Sequence, residues 1–232
     1  MLTTAAVEIL CSGVLFDMDG VLLDSTPAVA RVWRWWAGRH GLPADEVVHR
    51  AHGRPSLATV RDYLPGAADH AAENLEIEQR EIADVAGIQA LPGARELLAA
   101  LPLERWAIVT SCTLPLAEAR FAAGGLPRPR WLVTADDVVA GKPAPDPYLQ
   151  GAALLGCPPS ECLVVEDVAA GVVAGKAAGA RVLGLTTTVG AAELRAAGAD
   201  WVASSLASVR LRAVHAGRLE LGLAAGRGDT YS

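Results

Sequence analysis

The sequence predicts an α/β protein built on a doubly wound parallel sheet, with an all-helical segment inserted after the first strand. Three observations carry this reading. From Leu91 onward, short apolar runs alternate with helical patterns of about ten residues, the signature of βαβ units. Between Thr26 and Ala90 no strand-like apolar run occurs, although helical apolar spacing does. Three of the apolar runs stop abruptly at polar residues, Asp17/Asp19, Thr110/Ser111 and Glu166/Asp167, as strands do where they reach a ligand crevice.

In chain order, Val14-Leu15-Phe16 has the length and apolar bias of a buried parallel strand and runs into Asp17-Met18-Asp19-Gly20. Two carboxylates one residue apart take separate directions only if the backbone leaves the strand after Asp17, and Gly20 permits that. Asp-x-Asp-Gly also opens calcium loops, but the further acidic positions and closing Glu of such a loop are absent. Helices are predicted at 27–40, 43–51, 55–64 and 67–86, broken at Gly41-Leu42-Pro43, Gly53-Arg54-Pro55 and Pro65-Gly66. In the first of them Val29, Val32, Trp33 and Trp36 form one apolar stripe, so Trp33 and Trp36 are expected in helical packing. After Leu91 the predicted order is helix 93–101, strand 106–109, helix 115–123, strand 131–133, helix 147–155, strand 163–165, helix 169–178, strand 181–185, helix 191–197 and strand 201–202. The Gly- and Ala-rich tail from Gly217 is expected to fray.

Composition narrows the function. The 232 residues exceed the usual single domain of roughly 100–150, and 52% hydrophobic against 20% charged residues suits a globular protein. There is no apolar run long enough for a membrane span, and Met1 to Leu10 holds Glu8 and no basic start, so a cytoplasmic protein without membrane partners is expected. A net charge of −6 without basic clusters argues against nucleic acid and for a small substrate. Cys11, Cys112, Cys157 and Cys162 show no metal or redox spacing and are expected as reduced, mostly buried thiols. The only lysines are Lys142 and Lys176.

The carboxyl ends of parallel strands share one edge of the sheet, so Asp17, Asp19, Thr110, Ser111, Glu166 and Asp167, with Lys142 in the Pro-rich loop between them, should converge. Clustered carboxylates call for a hard cation, for which Mg²⁺ is the natural choice. Hydroxyls, backbone N–H groups and an ammonium are what a phosphate requires. Phosphate, Mg²⁺ and a free carboxylate together suggest phosphoryl transfer to an aspartate. Lys176, on a helix, reads as a surface residue.

Four segments resemble the motifs of the haloacid dehalogenase superfamily, in order and over nearly the whole chain: Phe16-Asp17-Met18-Asp19-Gly20-Val21, Val109-Thr110-Ser111, Gly141-Lys142-Pro143 and Val165-Glu166-Asp167. The resemblance implies a Rossmann-like core of residues 1–24 and 91–232 and a small helical cap of residues 25–90. Thr134-Ala135-Asp136-Asp137, Pro147-Tyr148-Leu149 and His52-Gly53-Arg54 are most similar to the sugar-phosphate and polyol-phosphate phosphatases of that superfamily, those acting on glycerol phosphate and deoxyglucose phosphate among them. Cys112 departs from the usual Gly or Ala and Val168 from the usual Ala or Ser, and Cys112 raises an expectation of oxidation sensitivity.

By this resemblance Asp17 would be the nucleophile and Asp19 the general acid and base. Ser111, or Thr110 one residue earlier, would bind the phosphoryl group within a loop that includes Cys112, and Lys142 would neutralise its charge. Mg²⁺ would be held by Asp17, the Asp19 carbonyl and Asp167, with Glu166 a further candidate. The cap would choose the leaving group through His52 and Arg54, together with Trp35 or Trp36, and would hinge near Asp24-Ser25-Thr26 and Leu91-Pro92-Gly93. The expected partner is a small phosphorylated sugar or polyol, and the expected assembly a monomer or weak homodimer. Residues 25–90 contain no lysine, which speaks against a phosphonate hydrolase that needs a cap lysine, and Asp19 is not needed by a haloacid dehalogenase. A sugar phosphomutase is the enzymatic alternative, though its usual cap lysine is missing. The alternative of another kind is a non-catalytic module carrying phosphate on an aspartate.

Overall fold

The computed structural model describes residues 7–51, 54–66 and 69–224. Strand β1 (Val7–Cys11) precedes β2 (Gly13–Phe16), and a tight turn leads to β3 (Leu23–Asp24). Four helices come next: α1 (Thr26–His40), α2 (Ala44–Ala51), α3 (Ser56–Tyr63) and α4 (His70–Ala83). The chain returns through β4 (Gln89–Ala90) and α5 (Ala94–Ala100) to β5 (Trp106–Val109), α6 (Leu114–Gly124) and β6 (Leu132–Val133). Then come α7 (Asp146–Leu155), β7 (Cys162–Glu166), α8 (Ala169–Ala177), β8 (Arg181–Leu185), α9 (Ala191–Ala196) and β9 (Trp201–Ala203). A hairpin of β10 (Val209–His215) and β11 (Arg218–Leu223) ends the described chain.

The central sheet is six-stranded and parallel, in the order β6-β5-β2-β7-β8-β9, as the alternating pattern predicts. Strands β2, β5 and β7 are buried along their whole length, because helices cover both faces of a doubly wound sheet and every position must then be apolar. On one face Val14, Phe16, Ile108 and Val165 pack against Leu97, Leu98, Leu116 and Phe121. On the other, Leu15, Ala107, Val109 and Val164 pack against Tyr148, Ala152 and Val172. Phe16 lies level with Ile108 and Val165, so β2, β5 and β7 end together and deliver the residues after them to one edge.

The inserted helices have their own apolar cluster, in which Val29, Val32, Trp33 and Trp36 of α1 meet Val47, Val60 and Ile77. Helix α1 stops where Gly41 takes the left-handed conformation, and α4 starts where the Asp69 carboxylate accepts from the Ala72 amide, three residues later than the pattern suggests. The two strands through which the chain leaves and re-enters the core, β3 and β4, pair antiparallel (Leu23 with Ala90, Asp24 with Gln89).

One expectation is corrected. The chain beyond Gly217 does not fray at its start: β11 is the middle strand of a three-stranded antiparallel sheet, β1-β11-β10. Leu219, Leu221 and Leu223 alternate inward onto the main core, and the turn at Ala216-Gly217 has positive φ at both residues, as a tight hairpin requires. Strands β1 and β10 likewise escape the sequence pattern. The cysteines carry free thiols as expected, with Cys157 and Cys162 in contact at 3.2 Å. No helix among the described residues is long and apolar enough to cross a membrane.

Candidate active site

The Asp17 amide still donates to Val165 O (3.0 Å) as a continuation of β2, after which the chain turns sharply. Leu22 and Leu23 N–H both donate to Met18 O (2.9 and 3.0 Å), and Gly20 N–H donates to Leu23 O (2.7 Å). Gly20 has φ +79, and a Cβ there would lie 1.9 Å from Asp167 Oδ2. Only glycine supplies both the conformation and the close approach. The turn sends Asp17 and Asp19 to different partners, as separate roles require.

Asp17 meets Lys142. The ammonium donates to Asp17 Oδ1 (2.6 Å), Glu166 Oε1 (2.6 Å) and Val109 O (3.0 Å), so the loop lysine ties the ends of β2, β5 and β7 together. Burial pushes the Asp17 carboxyl up to about 7, with Lys142 opposing and Glu166 and Asp19 adding to the rise. Burial also acts to depress Lys142, but the facing carboxylates outweigh it and hold the amine firmly charged. Asp167, buried beside Asp17 and Glu166, is raised well above the carboxylate range. Glu166 also receives the Tyr148 hydroxyl and, on Oε2, the Asp167 amide (3.1 Å). Gly171 of α8 makes room for it, since a Cβ there would stand 1.9 Å from the Glu166 carboxylate carbon.

Oxygens of Asp17, Glu166 and Asp167 all lie within 4.8 Å of one another, and Asp167 Oδ1 is buried without a partner. Three carboxylates facing one ammonium leave a deficit of positive charge. The all-oxygen donor set therefore suits a hard divalent cation, and these residues can hold one.

Asp19 meets a different cation. Its Oδ2 accepts from Arg120 Nη1 of α6 (2.7 Å), while its Oδ1 is buried without a partner among the described residues. Arg120 Nη2 reaches Glu81 of α4 at 3.3 Å, and Cys112 Sγ lies 3.3 Å from Asp19 Oδ2. Thr110 is buried and its hydroxyl accepts from the Cys112 amide (3.1 Å). Ser111 is less buried and lines the cavity. Burial drives the Cys112 thiol above its ordinary range.

A cavity of about 410 Å³ opens over these groups. Asp17, Asp19, Ser111 and Lys142 line its core side, and Trp33, Arg54, Ser56, Asn74, Glu78 and Glu81 come from the inserted helices. Arg54 is thus brought to the site, where Asp62 holds its guanidinium (3.0 Å), while His52 lies outside the described residues. The tryptophan expectation is corrected: Trp36 is fully buried and donates to Glu73, and Trp35 is stacked between Arg39 and Arg80, so neither reaches the cavity, whereas Trp33 does. Thr113 donates to Glu78, joining α4 to the start of α6. Lys176 pairs with Asp200 at the surface, as expected. Arg120, Asn74, Glu78 and Glu81 are additions that the sequence pattern does not single out, and Tyr148, quoted from the sequence only within Pro147-Tyr148-Leu149, joins the site through Glu166. Arg120 left a signal, since it falls on the stripe of Leu116, Ala117, Phe121 and Gly124 that α6 buries.

A parallel α/β sheet whose strand ends collect a buried aspartate, a lysine and an acidic cluster under a helical roof defines an enzyme of the hydrolase class. Residues 11–179 match the model of the haloacid dehalogenase-like hydrolases, and the chain belongs to that family. It is 50% identical over 180 residues to hexitol phosphatase A of Escherichia coli, covering 75% of this chain and 82% of the relative. It is 35% identical over 223 residues to glycerol-1-phosphate phosphohydrolase 1 of Saccharomyces cerevisiae, covering 90% and 88%. Among solved structures, a hydrolase from Pseudomonas syringae superposes with a TM-score of 0.71 at 30% identity, covering 84% of this chain and 94% of that one.

Proposed function

We propose that this chain is a Mg²⁺-dependent phosphatase that hydrolyses a small sugar or polyol monophosphate through an aspartyl-phosphate on Asp17. The observation that carries the reading is the convergence of Asp17, Glu166 and Lys142 on the floor of one cavity, with Asp167 in the same acidic cluster and Arg54, Ser56, Asn74 and Glu78 among the residues opposite. A carboxylate beside an ammonium and a cation site is what attack on a phosphate dianion needs, because the repulsion between nucleophile and substrate must be neutralised.

In the first step an Asp17 oxygen attacks phosphorus, the bond from phosphorus to the leaving oxygen breaks, and Asp19, held by Arg120, gives that oxygen a proton. In the second step water attacks the phosphorus of the aspartyl-phosphate, returns its proton to Asp19 and frees Asp17. Lys142 and the Ser111 hydroxyl hold the phosphoryl oxygens, with Thr110 supporting the loop through the Cys112 amide. Asp17, Asp167 and the Asp19 carbonyl would hold Mg²⁺, which would supply the charge neutralisation that the single lysine leaves incomplete. Glu166 belongs to the same cluster, and its contacts to Lys142, Tyr148 and the Asp167 amide give it the task of fixing the lysine.

Residues 25–90 act as a cap over a core of residues 1–24 and 91–232, moving about the linkers that pair as β3 and β4. A cavity of about 410 Å³ lies in the range of small-molecule sites, roughly 300–1,000 Å³. The side chains of Ser56, Asn74, Glu78 and Arg54 suit the hydroxyls of a polyol. The names of the relatives, a hexitol phosphatase and a glycerol-1-phosphate phosphohydrolase, support the same class of leaving group. Absence of lysine from residues 25–90 favours hydrolysis over mutase chemistry.

The test is a screen for phosphate release from hexitol, glycerol, sugar and nucleotide monophosphates, with isomerisation of sugar phosphates as the mutase control. Release that is fastest from polyol or sugar phosphates and is lost in Asp17→Asn supports the reading. Release that survives Asp17→Asn, or isomerisation that outpaces it, overturns it.

A further inference from the structure

Arg120 is a charged side chain with 5% of its surface exposed, on the apolar stripe of α6. Dehydrating a guanidinium is costly, and the cost is met only where its N–H groups are matched to carboxylates. Here the two terminal nitrogens are matched, to different parts of the chain, while Nε is buried with no partner among the described residues. Nη1 donates to Asp19 Oδ2 (2.7 Å) and touches Cys112 Sγ (3.1 Å), while Nη2 faces Glu81 (3.3 Å). Glu81 is itself buried and sits on α4, one turn after Glu78, which receives the Thr113 hydroxyl. A single side chain therefore bridges the turn after β2, the core helix α6 and the helix α4 that roofs the cavity.

The bridge leaves the two oxygens of Asp19 unequal. Oδ2 is taken, and Oδ1 is buried with no partner among the described residues, on a residue that lines the cavity. An aspartate that has to deliver a proton to one leaving oxygen, and take one from one water, needs its carboxyl plane fixed. We propose that Arg120 is the positioning residue for Asp19, holding the plane of its carboxylate through Oδ2 for proton transfer, and that Glu81 makes this clamp depend on the seating of α4 over the cavity. The assignment rests on the phosphatase reading and adds to it a residue that touches neither phosphate nor metal. It also accounts for the presence of buried Glu81 in the roof of an anion-binding site, where a carboxylate facing the substrate would otherwise be unfavourable.

A leaving group that needs no proton separates this role from a structural one. The variants are Arg120→Met, Arg120→Lys and Glu81→Gln, assayed in rapid-quench and stopped-flow experiments with Mg²⁺. Substrates are a polyol phosphate such as glycerol phosphate, and p-nitrophenyl phosphate, whose aryl oxide leaves unprotonated. For Arg120→Met the single-turnover rate on the polyol phosphate is expected to fall by about 100-fold, the order expected for a misplaced catalytic group. The p-nitrophenolate burst should keep its wild-type rate, with a slowed steady state because water activation also uses Asp19. Arg120→Lys should recover part of the polyol rate, and Glu81→Gln should lower the polyol rate by a smaller factor while the burst keeps its wild-type rate. In an Asp19→Asn background the Arg120→Met change should cost nothing further.

Burst and polyol rates that fall together, or polyol rates unchanged in Arg120→Lys, Arg120→Met and Glu81→Gln alike, would overturn the assignment. So would an additive loss in the Asp19→Asn background. If Arg120→Met does not fold, Glu81→Gln and Arg120→Lys carry the same comparison. A wild-type protein that releases phosphate from neither substrate fails at the phosphatase reading itself, and that failure is seen before any variant is made.

Discussion

Lys142→Met is the substitution that loads the site most heavily. The side chain is 4% exposed and makes three polar contacts, two of them with carboxylates at 2.6 Å. Methionine keeps much of the volume and removes the charge, leaving Asp17, Glu166 and Asp167 with no facing cation. Breaking a buried ion pair by removing one partner costs about 3–5 kcal/mol. For a chain of this size each kcal/mol shifts Tm by about 2–4 °C, so in metal-free buffer a fall of roughly 10 °C is expected. The deficit should depend on pH with a definite sign. Asp17 and Asp167 are already raised by burial, and without the ammonium they hold their protons to still higher pH in the folded state than in the unfolded chain, so stability falls as pH rises above about 4. The variant should therefore lie closest to wild type in acid and furthest from it in base. Mg²⁺ restores positive charge to the same oxygens and should raise the Tm of the variant by more than that of the wild type. Phosphate release should stay at least about 100-fold below wild type, because in the proposed mechanism the lost group also stabilises the transferring phosphoryl. Thermal unfolding by fluorimetry across pH, with EDTA and with Mg²⁺, reads the first three effects. A metal-free variant as stable as wild type above neutral pH would refute the charge accounting.

The geometry sets three further outcomes. In the metal-free wild type Asp17 is held at about 7 against 3.8 unfolded, so between those values the native state keeps a proton that the unfolded chain has lost; Tm should fall across that window and Mg²⁺ binding at its upper end should release protons, whereas a flat profile would contradict the burial of Asp17. Gly171→Ala drives a Cβ to within 1.9 Å of the Glu166 carboxylate carbon, so Glu166 and with it Lys142 must shift; stability should drop by about 1–3 kcal/mol and activity by more than that loss of fold explains, measured as kcat/KM under conditions where the protein is fully folded. Leu221→Ala empties a buried position of β11 and should cost about 2–5 kcal/mol in chemical unfolding, where a frayed tail would cost nothing.

The residues that carry charge to the strand ends were legible in the sequence, because parallel strands end at one edge and Asp17, Ser111, Lys142 and Asp167 had nowhere else to go. Their convergence comes from topology more than from any local pattern. Arg120 was legible only in part: it falls on the stripe that α6 buries, but nothing in the sequence names its tertiary partners Asp19 and Glu81. Tyr148 looked like one more helix residue, although its hydroxyl ends on Glu166. The roof residues depended on rotation of helices about their axes, which spacing alone does not set, so Trp35 and Trp36 were given the place that Trp33 holds. The hairpin from Val209 to Leu223 was hidden by composition. Alternating Leu219, Leu221 and Leu223 are a strand signal, but the glycines and alanines around them outweighed it, and the partner β1 lies at the other end of the chain.

The central claim is that Asp17 becomes phosphorylated. Asp19→Asn protein mixed with Mg²⁺ and p-nitrophenyl phosphate should form the adduct, whose leaving group needs no acid, and should lose it slowly, because the water step lacks its base. Acid quenching, digestion and fragment-ion mass spectrometry should then locate one added phosphoryl group on Asp17, absent when Asp17 is also replaced by Asn. Release of p-nitrophenolate with no adduct on Asp17, or with the adduct on Ser111 or another residue, would contradict the account.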